Sequence, residues 1–374
     1  MERKTIKKTN RPKVDYGLLV CTAVLVVIGI VMLYSASTVE SLERFGNTGH
    51  FLRSQLLQGV LIGSIALYIC SRIDYHVWQK LLPVVVAGSL LLLALVKMPG
   101  VGFSAGGASR WIHLGPIFLQ PAELAKLAVV IYAAAWLSSR KNHLHSFSNG
   151  ILPMLVIVGL YAILILWQPD FGTMLALLGT VFVMIIASGV PWRWVLTMLG
   201  SGVALLFLLI KFEPYRAERL FTFLNPGHDP QGAGYQINQA LMAVSSGGWF
   251  GLGYGQSRQK HHYLPEVLGD SVFAVVTEEL GFIRSLGILA VFVFFFLRGF
   301  QIAANSADLF GKLLATGLTS MIVLQVVINV GAIIGLLPLT GIPLPFFSYG
   351  SSALIVNLCA VGILLNVSKQ GRTT

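Results

Sequence analysis

Charge is what this sequence has least of. Asp, Glu, Lys and Arg make up 11% of its 374 residues, against about 25% in an ordinary soluble domain. Acid is scarcest, with 15 Asp and Glu beside 26 Lys and Arg. Together with 55% hydrophobic residues and a mean hydropathy of +0.77, this excludes a soluble enzyme, a disordered chain and a fibrous repeat. Cysteine is nearly absent. Cys21, Cys70 and Cys359 all lie in apolar runs and form no CxxC pair, which speaks against a disulfide framework and a cysteine zinc site. No internal repeat and no low-complexity tract is visible. What the chain has instead is long apolar runs, the mark of a polytopic membrane protein.

Ten segments read as membrane helices: 16–36, 54–71, 81–97, 119–138, 151–168, 171–190, 192–212, 271–299, 313–336 and 349–367. The expected fold class is therefore all-α with ten transmembrane helices. Residues 16–367 form one membrane domain, flanked by tails 1–15 and 368–374. The first segment is too long for a signal-peptide core and reads as a spanning helix. An even number of spans puts both termini on one side, and the positive-inside rule makes that side cytoplasmic. Arg3, Lys4, Lys7, Lys8, Arg11 and Lys13 crowd the first tail, and Arg72, Lys80, Arg140, Lys141, Arg193, Arg298 and Lys312 occupy the alternate loops. A basic tail beside an apolar run suits anionic membrane lipids, not nucleic acid. Residues 213–270 then form one large extracytoplasmic loop between helices 7 and 8. Ile237, Ala240, Leu241 and Val244 give it an amphipathic helix expected to lie on the outer interface.

Charged groups at membrane depth are functional candidates. Glu123 and Lys126 share a helical face just after Pro121. They read either as an N-terminal cap with a local ion pair or as the lining of a polar cavity. Asp170, after Pro169, reads as a helix cap. The run 271–298 is about 42 Å long as a helix, longer than a bilayer core, and Gly281 is where it would break. Gly251-Leu-Gly253-Tyr-Gly255 reads as a glycine turn more readily than as a phosphate loop, having no Lys-Ser/Thr after it. His261 and His262 read as surface residues, and the prolines 343 and 345 as a structured outer loop. The outer side thus collects a basic cluster, one well-placed carboxylate and an interfacial helix. Arg and Lys suit diphosphates, so a lipid-linked diphosphate fits this surface.

Several motifs carry a resemblance. They are Ala108-Ser-Arg110-Trp111-Ile-His-Leu114-Gly115, Gln120-Pro121-Ala-Glu123-Leu-Ala-Lys126, and Gln168-Pro169-Asp170-Phe-Gly172-Thr173. Three more follow: Asn225-Pro226 with Asp229-Pro230-Gln-Gly232-Ala-Gly234-Tyr235; Leu264-Pro265-Glu266 with Asp270-Ser-Val-Phe273 and Glu278-Glu279-Leu280-Gly281; and Gly341-Ile-Pro343-Leu-Pro345-Phe-Phe-Ser348-Tyr349-Gly350. In order and over nearly the whole chain, these resemble the SEDS family (FtsW, RodA, SpoVE). Ser257-Arg-Gln-Lys260 and Gly362-Ile-Leu-Leu-Asn-Val-Ser are more similar to its FtsW branch. The sequence departs from the family pattern at Leu268-Gly269 and Ser271, on either side of Asp270, and at Arg284 and Ser351.

The resemblance implies a peptidoglycan glycosyltransferase of the bacterial cytoplasmic membrane, serving cell division or elongation and cell shape. It would polymerise lipid II on the outer face and release undecaprenyl diphosphate. The implied partners are a class B penicillin-binding protein and other divisome or elongasome membrane proteins. Asp270 falls at the family's essential aspartate and is the expected catalytic residue. Arg110, Trp111, Glu123, Lys126, Arg216, Arg219, Lys260, Glu266, Ser348 and Tyr349 are the expected substrate-binding residues. Such a transfer inverts the anomeric centre, so one displacement suffices. Diphosphate leaves as a stable anion, so one base is needed and no acid. Basic groups or a divalent cation (Mg or Mn) would hold the diphosphate; no metal-ligand spacing is visible. The alternative is a lipid II flippase or another polytopic transporter with the same polar cavity.

Overall fold

Asp15 begins the first helix by accepting a hydrogen bond from the Leu18 amide at 2.9 Å, satisfying one donor left open at a helix start. In the computed structural model, residues 14–98, 101–105, 108–114, 117–225, 232 and 234–371 are described. Helix α1 (Tyr16–Phe45) ends at Gly46, whose φ of 64° suits glycine. Then follow α2 (His50–Arg72), π-helical over Gln55–Leu61, α3 (Leu82–Leu95), α4 (Pro121–Ser139), α5 (Phe147–Trp167) and α6 (Phe171–Ala187). Next come α7 (Trp192–Lys211), α8 (Pro214–Leu224), α9 (Tyr235–Ser246), α10 (Val272–Ala304), α11 (Leu309–Ile333) and α12 (Ser351–Gln370).

Each of the ten apolar segments is helical, and eight of these helices are long and apolar enough to cross a membrane. The other two, α3 and α6, have 14 and 17 residues, about 21 and 26 Å of helix. The arrangement has a centre and a periphery. In α11, 83% of the most apolar window is buried, whereas in α7 only 6% is. Around α11 pack α4, α6 and α10, while α12 lies along α2 and α1 along α10.

Two expectations need correction. The chain is mostly helical but not all-α, since β1 (Gly102–Ala105), β2 (Ala108–Leu114) and β3 (Ile117–Leu119) form an antiparallel sheet in that order. Strands of three to seven residues among glycines give too short an alternation to be read from sequence. The second concerns the helix expected to lie on the outer interface within the stretch 213–270. That stretch holds α8 and α9, and α9 buries Ile237, Ala240 and Ala243 while packing against α10 and α11. Its apolar face is a protein contact.

The break at Gly281 is present, with φ 80° and ψ 176°. It lets the glycine turn 247–255 stack on the start of α10. Leu252 N donates to Glu278 O and Gly253 N to Glu279 O, both at 3.0 Å. A Cβ on Gly281 would meet Gly251 N at 2.2 Å, and one on Gly251 would meet Glu279 O at 2.2 Å. Only two glycines allow backbones this close.

Candidate active site

Asp270 ends a loop fixed from two sides. Tyr349 N donates to Leu268 O at 2.8 Å, and Ser348 Oγ donates to Gly269 O at 2.6 Å while accepting from Leu344 N at 2.8 Å. From α11, Asn329 Nδ2 donates to Asp270 O at 2.7 Å and to Ile342 O at 2.8 Å. Ser348 and Tyr349, expected on the substrate, thus bind the backbone beside Asp270. The Tyr349 hydroxyl lies 3.2 Å from Ser54 Oγ.

The Asp270 carboxylate accepts at Oδ1 from Gln236 Nε2 at 3.2 Å and from Ser271 Oγ at 3.4 Å. Burial pushes its pKa up to about 6, helped by the negative charge of Glu266 and opposed by Arg219. Glu266 is exposed with φ 51°. Gln236 and Arg219 line one cavity of about 250 Å³ with Tyr235 and Pro265. Arg219 also lines an adjoining, more apolar cavity of about 280 Å³, with Arg110, Phe171, Leu339 and Gly341. Its Nη1 donates to Leu339 O at 2.9 Å. Arg110 donates from Nε to Gln168 O at 3.0 Å and from Nη2 to Pro169 O. Its neighbour Trp111 is half-buried on β2, in register with Phe103 of β1. The side chain of Arg216 and most of 226–233 lie outside the described residues.

Other candidates sit elsewhere. Lys126 Nζ contacts Glu123 Oε1 at 2.8 Å and Gln325 Oε1 at 2.9 Å in the core. Gln325 lies one turn before Asn329 on α11, so the pair sits behind the Asp270 anchor. Lys260 is also buried, with Nζ 3.2 Å from Glu279 Oε1 and 2.7 Å from Gly255 O. Glu279 further accepts from Ser35 Oγ, Gly255 N and Ser257 N, and Glu278 from Ser257 Oγ and Arg258 N. These two acids bind the turn 255–260. Asp170 caps α6 at Thr173 N, 3.1 Å away. His261 and His262 are exposed, and His262 meets Glu43 at 2.7 Å. Gln236 and Asn329 were not singled out as site residues. An Asn inside an apolar helix was the available signal for the second.

Asp270 is thus half-buried beside Gln236 and within the charge reach of Arg219, which lines two cavities. Comparison with known proteins places this arrangement. The sequence profile of the FtsW/RodA/SpoVE family, described as cell cycle protein, matches residues 16–373. The chain belongs to that family. It is similar to stage V sporulation protein E of Bacillus subtilis, with 42% identity over 98% of this chain and 100% of the relative. It is also similar to the probable peptidoglycan glycosyltransferase FtsW of Geobacter sp. (strain M18), with 40% identity over 96% of this chain and 97% of that one. A chain from a peptidoglycan synthase complex, solved for its coordination of polymerization and crosslinking, superposes with TM-score 0.79 and 30% identity over 95% of this chain and 97% of that one. The rod shape determining protein RodA of Thermus thermophilus gives TM-score 0.71 and 30% identity over 96% and 98%.

Proposed function

We propose that the chain is a peptidoglycan glycosyltransferase that polymerises lipid II at the outer face of the bacterial cytoplasmic membrane and releases undecaprenyl diphosphate. The observation that carries this is the placement of Asp270, with its raised pKa, beside Arg219, in a chain about 40% identical over its length to named glycosyltransferases. Asp270 is the general base for the acceptor 4-hydroxyl. Arg219 and Arg110 face one cavity and hold the departing diphosphate by charge; Arg216 and Trp111 are assigned to the same substrate. Among the described residues no three His, Cys, Asp or Glu converge as a metal cage requires. A divalent cation is therefore proposed only as a counter-ion of the diphosphate, and no step depends on it. The partner is a class B penicillin-binding protein.

The reading includes ten spans, with α3 and α6 as the short ones. Both termini are cytoplasmic, and the site, with residues 213–270, is extracytoplasmic. Labelled lipid II with the purified protein in vesicles tests the function. Glycan chains support it; equilibration of lipid II across leaflets without chains would assign a flippase. For the topology, Arg258→Cys in intact spheroplasts should react with an impermeant thiol reagent while Lys141→Cys stays protected. The opposite pattern reverses the orientation.

A further inference from the structure

The two oxygens of Asp270 differ. Oδ1 takes the hydrogen bonds from Gln236 and Ser271. Oδ2 takes none among the described residues and faces Gly341, where a Cβ would have Oδ2 as its nearest neighbour at 4.0 Å. Gly341 lines the cavity that also holds Arg110 and Arg219. The open oxygen therefore points toward the side where the diphosphate is proposed to sit.

Gln236 is well held for such a task. It lies in the first turn of α9, whose Ile237, Ala240 and Ala243 are buried in a helix packed against α10. Its Nε2 donates to Asp270 Oδ1 at 3.2 Å and to Ser271 Oγ at 3.1 Å, so both amide hydrogens are committed on one side. A donor aimed at a carboxylate favours the ionised form and fixes the rotation of the group. The charged neighbours are Glu266 on the same loop and Arg219 on α8. Tyr235 lines the cavity beside Gln236, and the neutral Ser271, at the N-cap of α10, and Asn329 of α11 hydrogen-bond Asp270.

We propose that Gln236 is a positioning residue for the transfer, tying up Oδ1 of Asp270 so that Oδ2 is the oxygen that takes the acceptor's proton. The inference rests on the glycosyltransferase reading. In that step the acceptor oxygen bonds to the anomeric carbon, its proton passes to Oδ2, and the carbon–oxygen bond to diphosphate breaks with the electron pair leaving on diphosphate.

The test is the pH profile of lipid II polymerisation by the purified full-length chain, with unfolding temperatures measured alongside. Gln236→Met keeps the length and removes the donor. The acid limb is expected to move up by about one pH unit, so that the rate at pH 6 falls about fivefold, and the rate at pH 5 nearly tenfold, while the rate at pH 9 stays within about threefold. Gln236→Glu fills the same space and adds a like charge, and its limb is expected to move further. A folded variant of either kind that loses activity equally at all pH values, with its limb unmoved, overturns the inference and leaves the polymerase reading standing. Wild-type protein that forms no chains overturns that reading and the inference with it.

Discussion

Asp270→Asn is expected to cut lipid II polymerisation by at least about 10²-fold while lipid II still binds. The amide keeps the shape and removes the base. Asp270→Glu is expected to recover little, because a shift of about 1 Å at the reacting atom can cost about 10²-fold. Since the carboxyl titrates near pH 6, the wild-type rate should fall as pH drops through that value. The same shift gives a sign for stability. A folded pKa above the usual 3.8 favours the protonated form, a contribution present below about pH 4 and lost as pH rises through about 6. At neutral pH the charged Asp270 therefore weighs on the fold, and Asp270→Asn should melt no lower than wild type. A near-native rate for Asp270→Asn would sink the assignment and move attention to Glu266.

Glu279→Ala is expected to destabilise the protein by about 3–5 kcal/mol, because it leaves Lys260 buried without its counter-charge. Both side chains are almost fully buried, at 0% and 4% exposure. Glu279 also accepts the Gly255 and Ser257 amides at 3.0 and 3.2 Å, so the turn would lose its anchor too. Lys260→Met alone should be milder, and adding it to Glu279→Ala should restore much of the lost stability. Denaturant or thermal unfolding in detergent reads all three. If Lys260→Met instead leaves stability untouched and raises the KM for lipid II, its ammonium serves the substrate.

The helices were legible because apolar runs of membrane length need no tertiary information. The break at Gly281 was legible from length alone. What could not be read was partnership. Lys260 looks in sequence like one more outer cation beside Arg258, yet it is buried on an acid 19 residues away. Ser348 and Tyr349 lie in a motif suited to substrate, yet their hydrogen bonds run to the backbone beside Asp270. α9 shows its amphipathic pattern correctly. The pattern does not say whether lipid or α10 covers the apolar face. The sheet at 102–119 escaped because its strands are shorter than any periodic signal.

The anchoring of the Asp270 loop has a consequence for biosynthesis. The amide that holds the Asp270 carbonyl comes from a residue 59 positions later, and the hydroxyl on Gly269 from one 79 positions later. At about 5–20 residues per second, the ribosome adds these some seconds after it has added Asp270. A nascent chain that has inserted α10 but not α11 and α12 already carries the aspartate, without the groups that hold it in place. Competence for transfer thus arrives with α11 and the segment that follows it, and a chain stopped before them can occupy the membrane without making glycan.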